Sequence, residues 1–273
     1  MDLSKRFDKD LALRTGSGLA LVLAVLGGIY LGNPYWFALC FCISIGSLAE
    51  FYRMISNKSH VSRVVGFSLG ALTLFSAVLA NDPAVVLPIL SASTLLVFFI
   101  EIVRRHLLSE SYGIASSGGT AAGLLYIVLP WSFMIVLRDH IWGMYLLTAL
   151  FSCTWACDVS AYLVGSRWGR TLLCPAVSPK KTIEGFAGGF AGSLLCGGAL
   201  SYIWGIAPVP LLLIAFFCGT FGQIGDLVES LIKREACVKD SGDLIPGHGG
   251  VLDRFDSILV NSVLVFVVFG VLW

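Results

Sequence analysis

Apolar residues run through this chain in long blocks separated by short polar breaks, not in the narrow stripes of soluble helices. Blocks long enough to cross about 30 Å of hydrocarbon occupy about 17–31, 35–50, 64–80, 84–103, 114–137, 141–165, 185–204, 209–232 and 257–273. The pattern predicts an all-α, polytopic integral membrane protein of about nine transmembrane helices. The first two blocks are short, so seven or eight spans are the alternatives. With no internal repeat, low-complexity tract or soluble segment, residues 1–273 read as a single membrane domain.

The polar breaks divide by charge. Of 18 Lys and Arg, 17 fall in the N-terminal tail and in the loops following spans 2, 4, 6 and 8; the other loops carry only Arg138, beside Asp139. The positive-inside rule then places the N-terminus in the cytoplasm and the C-terminus, after nine spans, outside. The acidic head M-D-L-S-K-R-F-D-K-D does not suit a cleaved signal peptide.

Composition agrees with this reading: 57% hydrophobic, 13% charged, mean hydropathy +0.87. The 30 glycines suit close helix approach, as in Gly185–Gly198. Eight cysteines show no metal-like spacing; Cys153/Cys157 and Cys40/Cys42 read as small packing residues. A net charge of +1 is uninformative about partners, and no nucleic-acid partner is expected.

Against this background, Ser230–Asp256 stands out. Its 27 residues hold five acids (Glu235, Asp240, Asp243, Asp253, Asp256) and four bases (Lys233, Arg234, Lys239, Arg254) between two membrane-length blocks. Charge at a membrane boundary needs partners or a function. Acids bind hard cations, while bases and glycine amides bind phosphate. Asp158 and Asp226 sit in the last thirds of spans 6 and 8, each about 10 Å or less from the cytoplasmic end at 1.5 Å per residue. Asp253 and Asp256 open span 9 from the same side and share a face if the helix has begun there. Carboxylates from three segments are therefore expected to meet at one depth, with Asp226, Asp253 and Asp256 as metal ligands. In span 8, Asp226, Glu229 or Ser230, and Lys233 follow the spacing of one helix face. The alternative is that these acids pair with Lys233, Arg234 and Arg254 as buried salt bridges.

Two further segments suit phosphate. P-G-H-G-G (246–250) resists helix and sheet, and its glycines allow backbone amides to approach a ligand. His248 reads as a loop-fixing hydrogen-bonder, with general base or ligand as alternatives. The loop after span 6 carries R-W-G-R (167–170) and S-P-K-K-T-I-E-G (178–185). Lys180 and Lys181 precede Thr182 at the expected start of span 7, where cations and free helix amides coincide. Arg167, Arg170, Arg53, Lys58, Arg63, Arg104 and Arg105 read as positive-inside residues.

Ser230, Lys233-Arg234, Lys239-Asp240, Gly242, Ile245-Pro246, His248-Gly249-Gly250 and Asp253-Arg254-x-Asp256 resemble, position by position, the signature of phosphatidate cytidylyltransferases (CDP-diacylglycerol synthases). Asp158 in D-V-S-A-Y-L-V-G and the S-P-K-K-T-x-E-G segment are also similar to that family, so the likeness covers roughly 155–256. The resemblance implies transfer of CMP from CTP to phosphatidate, giving CDP-diacylglycerol and pyrophosphate, in phospholipid biosynthesis. It places the catalytic part at 155–256, near the cytoplasmic face of a bacterial cytoplasmic membrane. Catalysis would rest on Asp226, Asp253, Asp256, Lys233 and Arg254, with Mg²⁺ and room for a second cation. Ser178, Lys180, Lys181, Arg234, Lys239, Asp240, His248, Gly249, Gly250 and Asp158 would hold substrate. The partners implied are CTP, phosphatidate, membrane lipid and, as the family suggests, a second copy in a homodimer. Rival readings are a CTP-using polyprenol kinase, a cytidylyltransferase for ether-linked archaeal lipid, and an ion-coupled transporter using Asp158 and Asp226. The CDP-alcohol phosphotransferase pattern D-G-x2-A-R is absent.

The charge asymmetry makes a direct prediction. A reporter in the loop after span 6 should be cytoplasmic and one fused after Trp273 external; an internal signal from the latter would remove one span, first of all from the 17–50 pair.

Overall fold

The computed structural model describes residues 3–56, 61–108, 113–245 and 249–272, with the backbone alone for 3–14. Nine helices make up nearly all of it, and they coincide with the nine apolar blocks. They are α1 (Leu3–Leu31), α2 (Tyr35–Ile55), α3 (Arg63–Ala80), α4 (Pro83–Leu108), α5 (Gly113–Arg138), α6 (Gly143–Trp168), α7 (Ile183–Trp204), α8 (Pro208–Glu235) and α9 (Leu252–Val271). Eight are long and apolar enough to span a membrane, while α1 contributes the shorter apolar stretch Thr15–Leu31. The protein is thus an all-α, multi-pass membrane protein. Helices satisfy every backbone donor and acceptor within one segment, which hydrocarbon requires.

Three helices contain a π-helical turn: Leu124–Val128 in α5, Cys218–Gly222 in α8 and Val267–Val271 in α9. The second lies directly before the polar end of α8. Such turns are frequent at functional sites because they re-aim the side chains that follow.

The helices form two compact units, Met1–Ile135 with Val238–Arg254, and Val136–Cys237 with Phe255–Trp273. In the first, Trp36, Leu48, Tyr52, Leu74, Leu124 and Trp131 are fully buried. Trp36 Nε1 donates to the Met134 carbonyl (2.9 Å) and Tyr52 Oη to that of Thr120 (2.8 Å), linking α2 to α5. Polar groups at membrane depth find partners in this way, which in hydrocarbon replaces water. Arg104, read from sequence as a topology residue, pairs with Glu101 at 3.1 Å.

In the second unit α6 and α7 make the most extensive helix pair. Small residues explain it. A Cβ on Gly189 would stand 2.9 Å from Cys157 Sγ and 3.0 Å from both Ala161 Cβ and the Cys157 carbonyl. Cys157 therefore packs as a small apolar side chain, and Cys40, Cys153 and Cys218 are likewise buried and free. Replacing Gly189 with Leu should overpack this seam and cost about 1–3 kcal/mol, read as a lowered melting temperature of the detergent-solubilised protein. An unshifted transition would show that the helices can separate there freely.

Candidate active site

The loop between α6 and α7 folds into the one element that apolar patterning could not announce. Strands β1 (Leu172–Cys174) and β2 (Ser178–Thr182) pair antiparallel, with Leu172 opposite Thr182 and Cys174 opposite Ser178. The hairpin is pinned at both ends. Glu184, in the first turn of α7, accepts from the amides of Arg170 (3.0 Å) and Thr171 (3.2 Å). Thr182 caps α7, its Oγ1 accepting from the Gly185 amide at 3.1 Å. At the turn, Arg234 Nε donates to the Val177 carbonyl at 3.2 Å. Arg234, expected to hold substrate, thus ties the hairpin to the end of α8.

Alternation along β2 separates the two lysines. Lys180 is exposed, whereas Lys181 turns inward and sets its Nζ 2.6 Å from Asp226 Oδ2. Asp226 also accepts from Ser230 Oγ at 3.4 Å. One turn further along α8, Lys233 Nζ stands 2.6 Å from Oε2 of Glu229, which is fully buried. The polar stripe expected on α8 is present, but as two ion pairs. Asp256 lies within electrostatic reach of Asp226, Lys181 and Lys233. Helix α9 can come this near because Gly225 faces the Asp256 carbonyl, where a Cβ would stand at 3.1 Å. The second unit therefore gathers Asp226, Asp256, Lys181 and Lys233, with Ser230 and Glu229 supporting them. Ser178 lies on β2, while Asp158 is exposed on α6.

The first unit holds the glycine-rich loop. Helix α9 has begun by Asp253, whose Oδ2 accepts from the amides of Ser241 (2.9 Å) and Gly250 (3.0 Å). The Ile245 amide donates to the Gly249 carbonyl at 3.0 Å, and Gly249 takes a φ of 85°, which a side chain would strain. Lys239, Asp240 and Arg254 are exposed. Pro246, Gly247 and His248 fall outside the described residues, and with them the expectation for His248. Asp243 stands 3.8 Å from Arg53, both well exposed.

Glu50 was not singled out from the sequence. It is fully buried in α2 and accepts from Ser241 Oγ (2.9 Å) and from the amides of Val251 (3.0 Å) and Leu252 (2.9 Å). An acid among apolar neighbours at the end of the 35–50 block was the available signal.

Among the described residues no group of three or more His, Cys, Asp or Glu is placed to hold a metal ion. The carboxylates nearest to such a role are Asp226 and, within electrostatic reach of it, Asp256. That suits Mg²⁺, which binds through one or two carboxylates together with substrate phosphates.

Comparison with known proteins follows the same lines. A model of the "Cytidylyltransferase family" matches residues 12–272. A protein of Bacillus subtilis (strain 168) named phosphatidate cytidylyltransferase is 42% identical over 159 residues, covering 56% of this chain and 58% of its own. One of the same name from Synechocystis is 46% identical over 126 residues, 45% of this chain and 43% of its own. A third, from Staphylococcus aureus (strain COL), is 42% identical over 141 residues, 49% and 52% of the two chains. The chain spans about half the length of these relatives.

The Lys181–Asp226 pair can be tested alone. Lys181→Met should lower the melting temperature by leaving Asp226 beside Asp256 with one cation fewer. Lys181→Met with Asp226→Asn should then destabilise less than the two single losses added together. Strict additivity would mean that the pair is not coupled in solution.

Proposed function

Because the chain belongs to the cytidylyltransferase family, we propose that it transfers CMP from CTP to phosphatidate, producing CDP-diacylglycerol and pyrophosphate. The observation that carries this reading is the set formed by Lys181, Asp226, Lys233 and Asp256 where hairpin, α8 and α9 meet. One substrate is a lipid and needs a site at the membrane. The other is a soluble triphosphate and needs an opening to water. The bias of Lys and Arg to one set of loops favours an opening on the cytoplasmic side.

In the reaction a phosphate oxygen of phosphatidate attacks the α-phosphorus of CTP in line. The new P–O bond forms as the bond to the β-phosphate breaks, and pyrophosphate leaves with the electron pair. Both reactants are anions, so positioning and charge neutralisation supply most of the rate. Asp226 and Asp256 would hold Mg²⁺, which when bound neutralises phosphate charge. Lys181 and Lys233 balance the remainder, each already paired with an acid from which it can turn to a phosphate. Lys180 and Lys181, on β2 just before α7, would receive the lipid phosphate, Lys180 from the exposed side of the strand. By the family signature, Arg254 and Lys239, both exposed, would answer the charge of the triphosphate. Ser230 orients Asp226 by donating to it, and no covalent intermediate is required.

The test is incorporation of label from CTP by purified protein. With α-labelled CTP, lipid-extractable label should depend on added phosphatidate, match released pyrophosphate one to one, and vanish with EDTA. Label entering lipid from γ-labelled CTP would overturn the reading in favour of a kinase. Label that ignores phosphatidate would overturn the acceptor.

A further inference from the structure

Glu50 sits in the apolar sequence Ser47-Leu48-Ala49-Glu50-Phe51 and is fully buried. A carboxylate in such a place is tolerated only where donors converge on it, so its partners indicate what it is for. The donors found belong to one loop, 191 to 202 residues further along the chain: Ser241 Oγ, the Val251 amide and the Leu252 amide. Two of these are amides at the beginning of α9, where a helix leaves donors unsatisfied and favours negative charge. Helix α9 is therefore capped by an acid from α2.

The loop is shaped to that acid. A Cβ on Gly250 would stand 2.6 Å from Glu50 Oε2, and one on Gly242 would run into the same carboxylate. Asp253 complements it from the other side by gathering the Ser241 and Gly250 amides. Both ends of the glycine-rich loop are thus tied twice, once by Asp253 and once by Glu50. A cap alone could come from a neighbouring Ser or Asn. A carboxylate reaching from another helix fixes the position of the loop as well as the start of α9.

We propose that Glu50 is a positioning residue for CMP transfer, holding Ser241–Gly242 and Gly250–Leu252, the ends of the signature's glycine-rich loop, in place before substrate arrives. This rests on the reaction proposed above and extends its machinery beyond 155–256 into α2. Both Glu50 oxygens accept hydrogen bonds. A glutamine would turn an NH₂ group toward one of the donors and leave that donor unpaired.

The experiment combines hydrogen exchange read by mass spectrometry with steady-state kinetics on the full-length protein and its Glu50→Gln, Glu50→Asp and Ser241→Ala variants. Glu50→Gln should exchange about tenfold faster in peptides covering 241–252 while peptides from α6 and α7 keep wild-type rates. It should lose about tenfold or more in kcat with KM for phosphatidate held within about twofold, the signature of lost organisation rather than lost binding. Glu50→Asp, which keeps the charge one methylene short, should recover part of both. Unchanged exchange in 241–252, or faster exchange with unchanged kcat, would overturn the proposal. If Glu50→Gln does not fold, Ser241→Ala decides it by removing one of the three bonds, and must move exchange and kcat in the same directions. If the wild-type protein makes no CDP-diacylglycerol, the reaction falls and with it the positioning role, while exchange alone still decides whether Glu50 anchors the loop.

Discussion

A buried acid in a membrane helix has no water to fall back on, so the protein around it must be arranged to supply donors. Glu50 draws three from a loop 191 to 202 residues away, and the conformation of that loop follows from the need. Gly242 and Gly250 leave room for the carboxylate, Ser241 directs its hydroxyl inward, and α9 begins where the acid can cap it. Asp253 completes the enclosure from its first turn. The same logic operates at smaller scale in the second unit, where Glu184 accepts two amides and closes the base of the hairpin. Loops at membrane ends are usually the loose parts of a polytopic protein. Here both loops that carry the family's residues are tied down by acids.

Charge at the α8 end is handled differently. Lys181 and Lys233 each sit 2.6 Å from a carboxylate, one largely covered and one fully buried. Pairing lowers the cost of holding cations near hydrocarbon, and it also leaves them available. In the proposed reaction a phosphate entering beside Asp226 would offer Lys181 a second anion without requiring the ammonium to be stripped of water again. Glu229 is further inside and keeps Lys233 oriented in the meantime. Preorganised charge of this kind acts on a developing phosphoryl anion with little rearrangement at the moment of reaction.

Much of this was legible in the sequence, and the parts that were not share a cause. All nine apolar blocks became helices because hydrophobic length is a local property. Thr182 as the start of α7, and the stripe of Asp226, Glu229, Ser230 and Lys233 on α8, were readable because capping and helical spacing are local too. The hairpin was hidden because it is two short strands, the second rich in Pro and Lys, held by Glu184 and Arg234 rather than by strand propensity. Lys181 and Lys180 look equivalent in sequence, and only the strand's alternation distinguishes them. Glu50 is the clearest case: its role is entirely long-range, and the single local cue was an acid amid apolar neighbours.

The distribution of these roles changes how the signature itself should be understood. Its positions separate into those that shape backbone and those that present charge. Ser241, which the signature leaves variable, does as much for the loop as Gly242 and Gly250 beside it, because its amide meets Asp253 and its hydroxyl meets Glu50. Asp253, grouped by spacing with Asp256, has one oxygen committed to two amides, whereas Asp256 lies within electrostatic reach of Asp226 and two lysines. Two acids three residues apart on one helix thus serve different ends, one closing a loop and the other joining a charge cluster. A motif match identifies the chemistry of a site, but the division of labour within it is set by which donors each acid has already accepted.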